Sequence, residues 1–299
     1  MRERPFGRIR AMTALAGLAG LALAAPPAAR AQADPLDRAH AHNDYAHPRP
    51  LLDALAQGFN SVEVDVHLVG DELLVAHDAD EVDPERTLEA LYLAPLRDHI
   101  QRHGGSVHPG RPPLLLLIDI KTGAEVTYAR LHPLLRRYAD ILAMHAGDLE
   151  VEGPVVAVLS GNRPRSALLA APIRFAGFDG RLADLEDSGG LPSTFMPLVS
   201  QDWGAVSEWT GEGPPPPQLR RELARLADLA HAQGRRLRFW GSPDRPEVWR
   251  VLHDAGVDLI NTDDLGGLRA FLAADAPAPQ RRMRTERLGP TSLSGGSGW

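Results

Sequence analysis

The chain has 299 residues, 43% of them hydrophobic and 24% charged, which is the composition of a globular protein with a sizeable core. A formal net charge of −7 disfavours a nucleic-acid partner, and the lack of cysteine excludes disulfides, a thiolate nucleophile and cysteine-based metal sites. Lys121 is the only lysine, so the other long basic side chains are arginines.

Residues 1–31 have the pattern of an export signal. Four arginines precede a small apolar stretch at 11–25, and Ala29-Arg30-Ala31 fits an A-x-A cleavage site. The apolar stretch is shorter than the roughly 20 residues that a membrane-spanning helix needs. We therefore expect a signal peptide over residues 1–31 and a secreted or periplasmic protein, with an uncleaved anchor or a disordered tail as the alternatives.

Helices and strands alternate along the rest of the chain. Short helices are predicted at 50–58 and 87–104, where Thr87 is the candidate N-cap, and a longer one at 124–145, which Pro133 could kink. Apolar runs at 114–120 and 155–160 are typical of strands buried on both faces, and weaker strands are predicted at 173–178 and 196–200. Towards the end, strands at 237–240 and 257–261 alternate with helices at 218–233, 246–255 and 267–274.

This alternation, about eight times over, predicts an α/β fold with a parallel sheet. A (β/α)₈ TIM barrel over residues 38–275 fits the count and the length best. The alternative is a doubly wound sheet, but no Gly-rich phosphate loop follows the first strand. Residues 276–299 lack periodicity and are rich in Pro, Arg, Gly and Ser, so we expect a disordered tail. Its arginines would allow transient contact with an anionic membrane surface, although a solvated tail is the favoured interpretation. We expect a monomer.

Acidic side chains mark two of the predicted strands. Glu63 and Asp65 share one face of a valine-rich strand, and Asp119 interrupts the apolar run LLLLIDI. The Glu-x-Asp pair alone fits a solvated hairpin face. Three carboxylates meeting inside a barrel would raise one another's pKa and would need a cation, and oxygen ligands favour Mg²⁺ or Ca²⁺.

Basic side chains fall near the same predicted strand ends. Lys121 shares the face of Asp119, where a compact ammonium fits a geometry that the arginines used elsewhere do not. His42 follows the first predicted strand and His77 follows LLVA, which we interpret as the end of another barrel strand. Two histidines at such positions can act as an acid–base pair near neutral pH. The sequence leaves His40, His47 and His67 undecided.

Several motifs taken together resemble the PLC-like phosphodiesterase superfamily. They are AHNDY, PLLDALAQGFNSVEVDVHL, LLVAHD, LLLLIDIKTG, LRFW and GVDLINTDDL, and the similarity spans residues 40–272. The superfamily includes glycerophosphodiester phosphodiesterases, bacterial phosphatidylinositol-specific phospholipases C and spider-venom phospholipases D. The resemblance is strongest to the branch named for the fungal altered inheritance of mitochondria protein 6.

The resemblance implies a distorted (β/α)₈ TIM barrel of the PLC-like phosphodiesterase type. It also implies a metal-dependent enzyme with a phosphodiester substrate, either a glycerophosphodiester or a phospholipid head group. It implies that His42 and His77 are the catalytic pair, that Glu63, Asp65 and Asp119 bind the metal, and that the substrate or its phosphate is bound by Asn43, Lys121, Trp240 and Asp263. Glycerophosphodiesterases carry His-Arg-Gly where this chain has His42-Asn43-Asp44, which puts a glycerophosphodiester substrate in question. Head-group selectivity would be set by the loops at 99–113, 162–165, 179–190 and 201–217.

Two other functions remain open at this point. The H-x-H motif formed by His40 and His42 would suit a zinc amidohydrolase-type barrel, although later strand ends offer none of the further His ligands. A non-catalytic module that binds phospholipids or sugar phosphates is the second alternative.

Overall fold

The structure, a computed structural model, describes residues 33–187 and 190–275. The predicted signal peptide at 1–31 and the predicted tail at 276–299 lie outside these residues. Within them, no helix combines the length and the apolar character needed to cross a membrane.

Eight parallel strands form a nearly closed barrel, as predicted. In order around the barrel they are β10 (Arg236–Trp240), β9 (Leu198–Asp202), β8 (Ala176–Gly180), β7 (Val155–Gly161), β4 (Leu114–Ile120), β2 (Ser61–Val69), β1 (Ala39–Ala41) and β11 (Ile260–Thr262). A bridge between Arg238 and Leu259 brings the two ends of this order together. The carboxyl ends of all eight strands therefore meet at one rim.

Helices cover the outside of the barrel. They are α1 (Leu52–Ala56), α2 (Ala94–Arg102), α3 (Ala124–Arg136), α4 (Arg165–Ala170), α5 (Leu182–Glu186), α6 (Pro217–Ala232), α7 (Pro246–Asp254) and α8 (Leu265–Asp275). The Oγ1 of Thr87 accepts a hydrogen bond from the backbone N–H of Ala90 at 3.1 Å, as expected of an N-cap. A single π-helical turn, Glu89–Leu93, leads from this cap into α2.

Alternation along the strands separates two cores. Outward residues such as Val64 and Leu116 join the large core beneath the helices, whereas Leu115 and Leu117 join a small apolar cluster inside the barrel with Val158, Leu198 and Leu259. Each such fully buried side chain contributes roughly 1.5–3 kcal/mol of hydrophobic stabilisation. The inward side chains nearer the carboxyl ends are polar, so the barrel has an apolar floor and a polar rim.

The segment after β2 departs from the prediction. Residues 73–76 do not form a barrel strand: β3 (Glu72–Val75) runs antiparallel to β2, and Val69 pairs with Glu72 across a two-residue turn. Gly70 has a φ of +60°, which this turn requires and which glycine adopts without strain. His77 is therefore carried back down to the level of Asp65 by a hairpin instead of lying at the end of a barrel strand.

The interpretation of residues 124–145 as one long helix is also wrong. α3 ends at Arg136, and the chain then turns into a small antiparallel hairpin of β5 (Met144–Ala146) and β6 (Leu149–Val151). Tyr138, Ile141 and Leu142 are buried at a spacing that imitates a helix, although the chain there forms turns. Pro133 lies inside α3 and does not end it.

Candidate active site

The nine residues predicted to form a site lie around the rim at the carboxyl ends of the barrel strands. Eight of them belong to the barrel strands or to the residues directly after them, and the ninth, His77, follows the β2–β3 hairpin. A cavity of about 440 Å³ opens here, and it is lined by His42, Asn43, Glu63, His77, Asp119, Lys121 and Trp240 among others. Asp65 is fully buried and does not line the cavity, and Asp263 contacts His42, which does.

The three predicted carboxylates come together on two neighbouring strands. Asp65 of β2 is in register with Asp119 of β4, and Glu63 lies one inward position below Asp65. Each of the three offers an oxygen within 4.8 Å of the others. The ammonium of Lys121 lies between two of them, 2.9 Å from Asp65 Oδ2 and 3.0 Å from Asp119 Oδ1.

The charges in this cluster are strongly coupled. Burial and the neighbouring charge of Glu63 raise the pKa of Asp65, against the opposing effect of Lys121. Burial alone would lower the pKa of Lys121, but Asp65 and Asp119 outweigh it and raise that pKa, so the lysine stays charged. Among the described residues, the buried Oδ1 of Asp65 has no hydrogen-bond partner.

This donor set fits a hard divalent cation. Ligand oxygens about 2.0–2.6 Å from Mg²⁺ or Ca²⁺ lie up to roughly 4–5 Å apart, which matches the spacing of the cluster. The unpartnered oxygen of Asp65 would also gain a partner from such an ion. Glu63, Asp65 and Asp119 are thus residues that could hold a metal, all through oxygen.

Glu63 has two further partners that the sequence did not reveal. The fully buried Arg238 of β10 reaches across the barrel to Glu63 Oε2 and also donates to Asn261 Oδ1 at 2.7 Å. The Nε2 of His40 lies 3.0 Å from the same carboxylate oxygen. Burial would raise the pKa of Glu63, but the charge of Arg238 and the hydrogen bond from His40 hold it far below its usual range. Glu63 is therefore a fixed, ionised carboxylate.

His42 and His77 are each oriented by a carboxylate. The Nδ1 of His42 lies 2.9 Å from Asp263 Oδ1, and the Nδ1 of His77 lies 3.1 Å from Asp65 Oδ2. The hydroxyl of Tyr45 supports the second pair, donating to Asp65 Oδ2 at 2.7 Å. Burial opposes a charge on His42, but the hydrogen bond to Asp263 and the charge of Glu63 raise its pKa. With Nδ1 so engaged, Nε2 is the nitrogen of each ring that is left to react.

A second cavity, of about 460 Å³, adjoins the first. It is lined by Tyr45, Glu81 and Arg86, and it shares Asn43 and His77 with the first cavity. The side chain of His77 is 56% exposed between the two. Asn43 has a φ of +45°, a conformation that asparagine tolerates better than most residues and that often occurs at functional sites.

Sequence reasoning missed a group on the far side of the rim. Arg181 lines the first cavity directly after β8, with its Cζ 4.7 Å from the centre of the Trp240 ring. Asp179 lies fully buried beneath it. An acid inside the buried run AGFDG is the same signal that identified Asp119, so Asp179 could have been found. Arg181 and Arg238 could not, because this chain uses arginine throughout.

Two of the three undecided histidines, His40 and His67, have structural roles. His40 is completely buried, with Nδ1 2.6 Å from Ser61 Oγ and Nε2 3.0 Å from Glu63, so neither nitrogen is free for zinc. This geometry argues against the zinc amidohydrolase alternative. The buried His67 has its Nε2 3.2 Å from the backbone oxygen of His77 and supports the segment after the hairpin.

Comparison with known proteins gives two family matches. A profile described as an AIM6-like phosphodiesterase domain matches residues 31–179, and one described as the glycerophosphoryl diester phosphodiesterase family matches residues 236–266. The first covers the strands of the carboxylate cluster and His42 and His77. The second covers β10 and β11, which carry Arg238, Trp240 and Asp263.

Two curated relatives match most of this chain. The altered inheritance of mitochondria protein 6 homolog of Arthroderma benhamiae is 28% identical over 78% of this chain and 82% of its own length. Altered inheritance of mitochondria protein 6 of Eremothecium gossypii is 31% identical over 79% of this chain and 69% of its own length. A solved glycerophosphodiester phosphodiesterase from Agrobacterium tumefaciens has a TM-score of 0.49 and 15% identity, covering 80% of this chain and 100% of that one. The chain belongs to the altered inheritance of mitochondria protein 6 family, a branch of the PLC-like phosphodiesterase superfamily.

Proposed function

We propose that this protein is an exported, metal-dependent phosphodiesterase that cleaves a phosphodiester through His42 and His77. One observation carries the proposal: two histidines, each held at Nδ1 by a carboxylate, line the same cavity as a three-carboxylate cluster and a lysine. Cleavage of a phosphodiester requires a proton acceptor, a proton donor and positive charge near the non-bridging oxygens, and this cavity contains all three.

Glu63, Asp65 and Asp119 would hold the ion, Mg²⁺ or Ca²⁺. When bound, it would stabilise negative charge on the phosphate oxygens. Lys121 reaches the cavity from the same cluster and would bind a non-bridging oxygen beside it. Its charge is maintained by Asp65 and Asp119, so it offers an ammonium throughout the physiological pH range.

The histidines move the protons. One Nε2 accepts a proton from the nucleophile, which is water or a neighbouring hydroxyl of the substrate, as the new P–O bond forms. The other histidine, which starts as an imidazolium, donates a proton to the oxygen of the leaving alcohol as the old P–O bond breaks. Attack by water gives a phosphomonoester, and attack by a substrate hydroxyl gives a cyclic phosphate.

The test is ³¹P NMR of products from a panel of glycerophosphodiesters, lysophospholipids and phosphatidylinositol, with Mg²⁺ or Ca²⁺ added. We expect turnover of at least one, and a fall of about 10²- to 10⁴-fold for His42→Ala and for His77→Ala. Excess EDTA should abolish turnover. His145→Ala, on the β5–β6 hairpin, is the matched control and should keep the wild-type rate.

The same experiment separates an enzyme from a binding module. Binding of a diester without turnover at any metal concentration would favour the non-catalytic alternative. Wild-type turnover in either histidine variant would contradict the proposed mechanism, and full activity of dialysed protein in EDTA would contradict the role of the metal. Secretion of the protein with residues 1–31 intact, or its retention in the cytoplasm, would contradict export with signal cleavage.

A further inference from the structure

The proposed mechanism leaves Arg181 without a role, although it lines the catalytic cavity. Its Nη1 donates to Asp179 Oδ2 and to the backbone oxygen of Gly180, each at 2.9 Å. In the described part of the chain, Nε and Nη2 have no hydrogen-bond partner. These two atoms form one edge of the guanidinium, and this edge binds a carboxylate or phosphate through two parallel hydrogen bonds.

The carboxylate behind Arg181 is held in place from both sides. Asp179 Oδ1 accepts from Ser200 Oγ and Asp179 Oδ2 accepts from Ser160 Oγ, both at 2.7 Å. Its side chain is completely buried, which is costly for a charge unless it is paired. The only ion pair of Asp179 within the described ranges is with Arg181. Asp179 therefore acts as a positioning residue that fixes one end of the guanidinium and leaves the other end open.

Trp240 packs against the same group. Its ring lies against the guanidinium, 4.7 Å from Cζ to the ring centre, which restrains Arg181 and leaves its edge as the available binding surface. The side chain of Arg181 remains 24% exposed at the cavity. The guanidinium is thus oriented before any ligand binds, which reduces the entropy lost on binding.

Arg181 serves a different part of the cavity from the carboxylate cluster. β8 lies two strands from β4 and three from β2 in the barrel, and Arg181 makes no ion pair within 4.0 Å with the cluster carboxylates among the described residues. Lys121 already provides the cation beside the cluster. The cavity, at about 440 Å³, falls within the range of small-molecule sites and is lined mainly by polar side chains.

We propose that Arg181, positioned by Asp179 and Trp240, binds a second phosphate group of the substrate, separate from the phosphodiester that is cleaved. This inference rests on the proposed function for the position of the scissile phosphate. The substrates would then be polar phosphodiesters that carry an additional phosphomonoester. This second phosphate would lie on the portion of the substrate that is bound near Arg181 and Trp240, at the ends of β8 and β10.

The test compares glycerophosphoinositol with glycerophosphoinositol 4-phosphate, which differ by one phosphate. Binding is measured by calorimetry in the His77→Ala variant with Mg²⁺ present, so that the ligands remain intact. We expect this parent variant to bind the phosphorylated ligand on the order of ten- to a hundredfold more tightly. Arg181→Gln should abolish that preference while changing the affinity for glycerophosphoinositol by less than about twofold. Arg181→Lys should retain part of it, because an ammonium keeps the charge but lacks the paired donors.

Arg165→Gln is the matched control, since Arg165 pairs with Asp184 and does not line the cavity. It should keep the parent preference. Should Arg181→Gln fail to fold, Asp179→Asn preserves the shape of the side chain and should reduce the preference by freeing Arg181. No preference in the parent, a preference that survives Arg181→Gln, or equal weakening of both ligands would overturn the inference, the last because Arg181 would then bind the scissile phosphate.

These outcomes are separable from those of the proposed function. Cleavage of diesters by the wild type without any preference refutes the second phosphate site alone. A preference that depends on Arg181, in a protein that cleaves no diester, supports the anion site and refutes catalysis.

Discussion

The two halves of the described chain, residues 33–154 and 155–275, differ in what they contribute to the site. The first half, β1 to β4 with its hairpin, carries both histidines, the three carboxylates and Lys121. The second half, β7 to β11, carries none of these groups, yet three of its residues contact them: Arg238 binds Glu63, Gly161 packs against Asp119, and Asp263 binds His42. The reactive groups therefore all lie on the first half, and the second half supplies further partners for Glu63, Asp119 and His42.

Closure of the barrel is therefore needed to complete the site, because it brings residues of the second half into contact with reactive groups of the first. Asp65, His77 and Lys121 differ from the other three groups, because their side-chain partners come from the first half. Glu63, Asp119 and His42 each contact a residue of the second half that lies 175, 42 and 221 residues further along the chain, respectively. These contacts exist only after the barrel strands have assembled. Substitutions in the second half test directly whether its residues hold the reactive groups of the first half in position.

Arg238→Met should have the largest effect on stability. Removing the guanidinium leaves Glu63 as a buried carboxylate without its main partner, which costs about 3–5 kcal/mol in the free energy of unfolding. Urea denaturation measures the loss, and adding Glu63→Gln should recover most of it. Arg245→Met removes an exposed pair with Glu212 and should cost less than about 1 kcal/mol. Equal losses in the two arginine variants would show that Arg238 does not hold Glu63.

Gly161→Ala should affect both stability and the carboxylate cluster. A Cβ at Gly161 would clash with Asp119 Oδ1, and the φ of +65° adds about 1–2 kcal/mol of backbone strain. Gly147→Ala is the matched control, because its φ is +57° and nothing lies within 4 Å of its added Cβ. We expect Gly161→Ala to lose more stability than Gly147→Ala, because only the former adds a clash, and we expect weaker Mg²⁺ binding, measured by calorimetry, only in Gly161→Ala. If Gly161→Ala binds Mg²⁺ with unchanged affinity, Asp119 is not a metal ligand.

Asp263→Asn should have the smallest effect, a shift in pH dependence. The aspartate raises the pKa of His42 against the effect of burial, so removing its charge should lower that pKa. The limb of the kcat/KM profile that belongs to His42 should move to lower pH, and NMR titration of the imidazole measures the same shift. Asp264→Asn, whose carboxylate caps the backbone N–H of Gly267, should leave the titration of His42 unchanged.

The raised pKa of His42 also determines how the free energy of unfolding depends on pH. A histidine pKa that is raised in the folded state contributes stability that is fully present below the unfolded value, near 6.5, and is lost as the pH rises through the folded value. Asp263→Asn removes this contribution. The variant should therefore differ most from the wild type in acid and converge with it at alkaline pH.

Much of the first half could be predicted from sequence because its signals are local. The alternation of Glu63 and Asp65 with valines places both acids on one strand face, and the position of Asp119 in an apolar run makes it a buried acid. Barrel order then follows from the alternation of strands and helices. The same kind of reasoning wrongly placed His77 at the end of a barrel strand. A short apolar run does not reveal whether it forms the next barrel strand or an antiparallel partner of β2.

The contribution of the second half could not be predicted for a different reason. Arg238 lies in an alternating strand, RLRFW, that would also fit a surface position, and only barrel closure turns its side chain towards Glu63. Arg181 has an equally ordinary local sequence. Long-range pairing of a common residue leaves no mark on spacing or composition, so this part of the site required the three-dimensional structure.

The lone lysine gives the protein an internal reporter. Because every other basic side chain in the chain is arginine or histidine, acylation with amine-selective reagents can modify one side chain only, and that side chain contacts Asp65 and Asp119. These carboxylates keep the amine protonated and therefore slow to acylate. A cation that neutralised them would lower the pKa of Lys121 and quicken its modification. The labelling rate of the Lys121 side chain thus reports whether the carboxylate cluster is occupied, independently of any substrate.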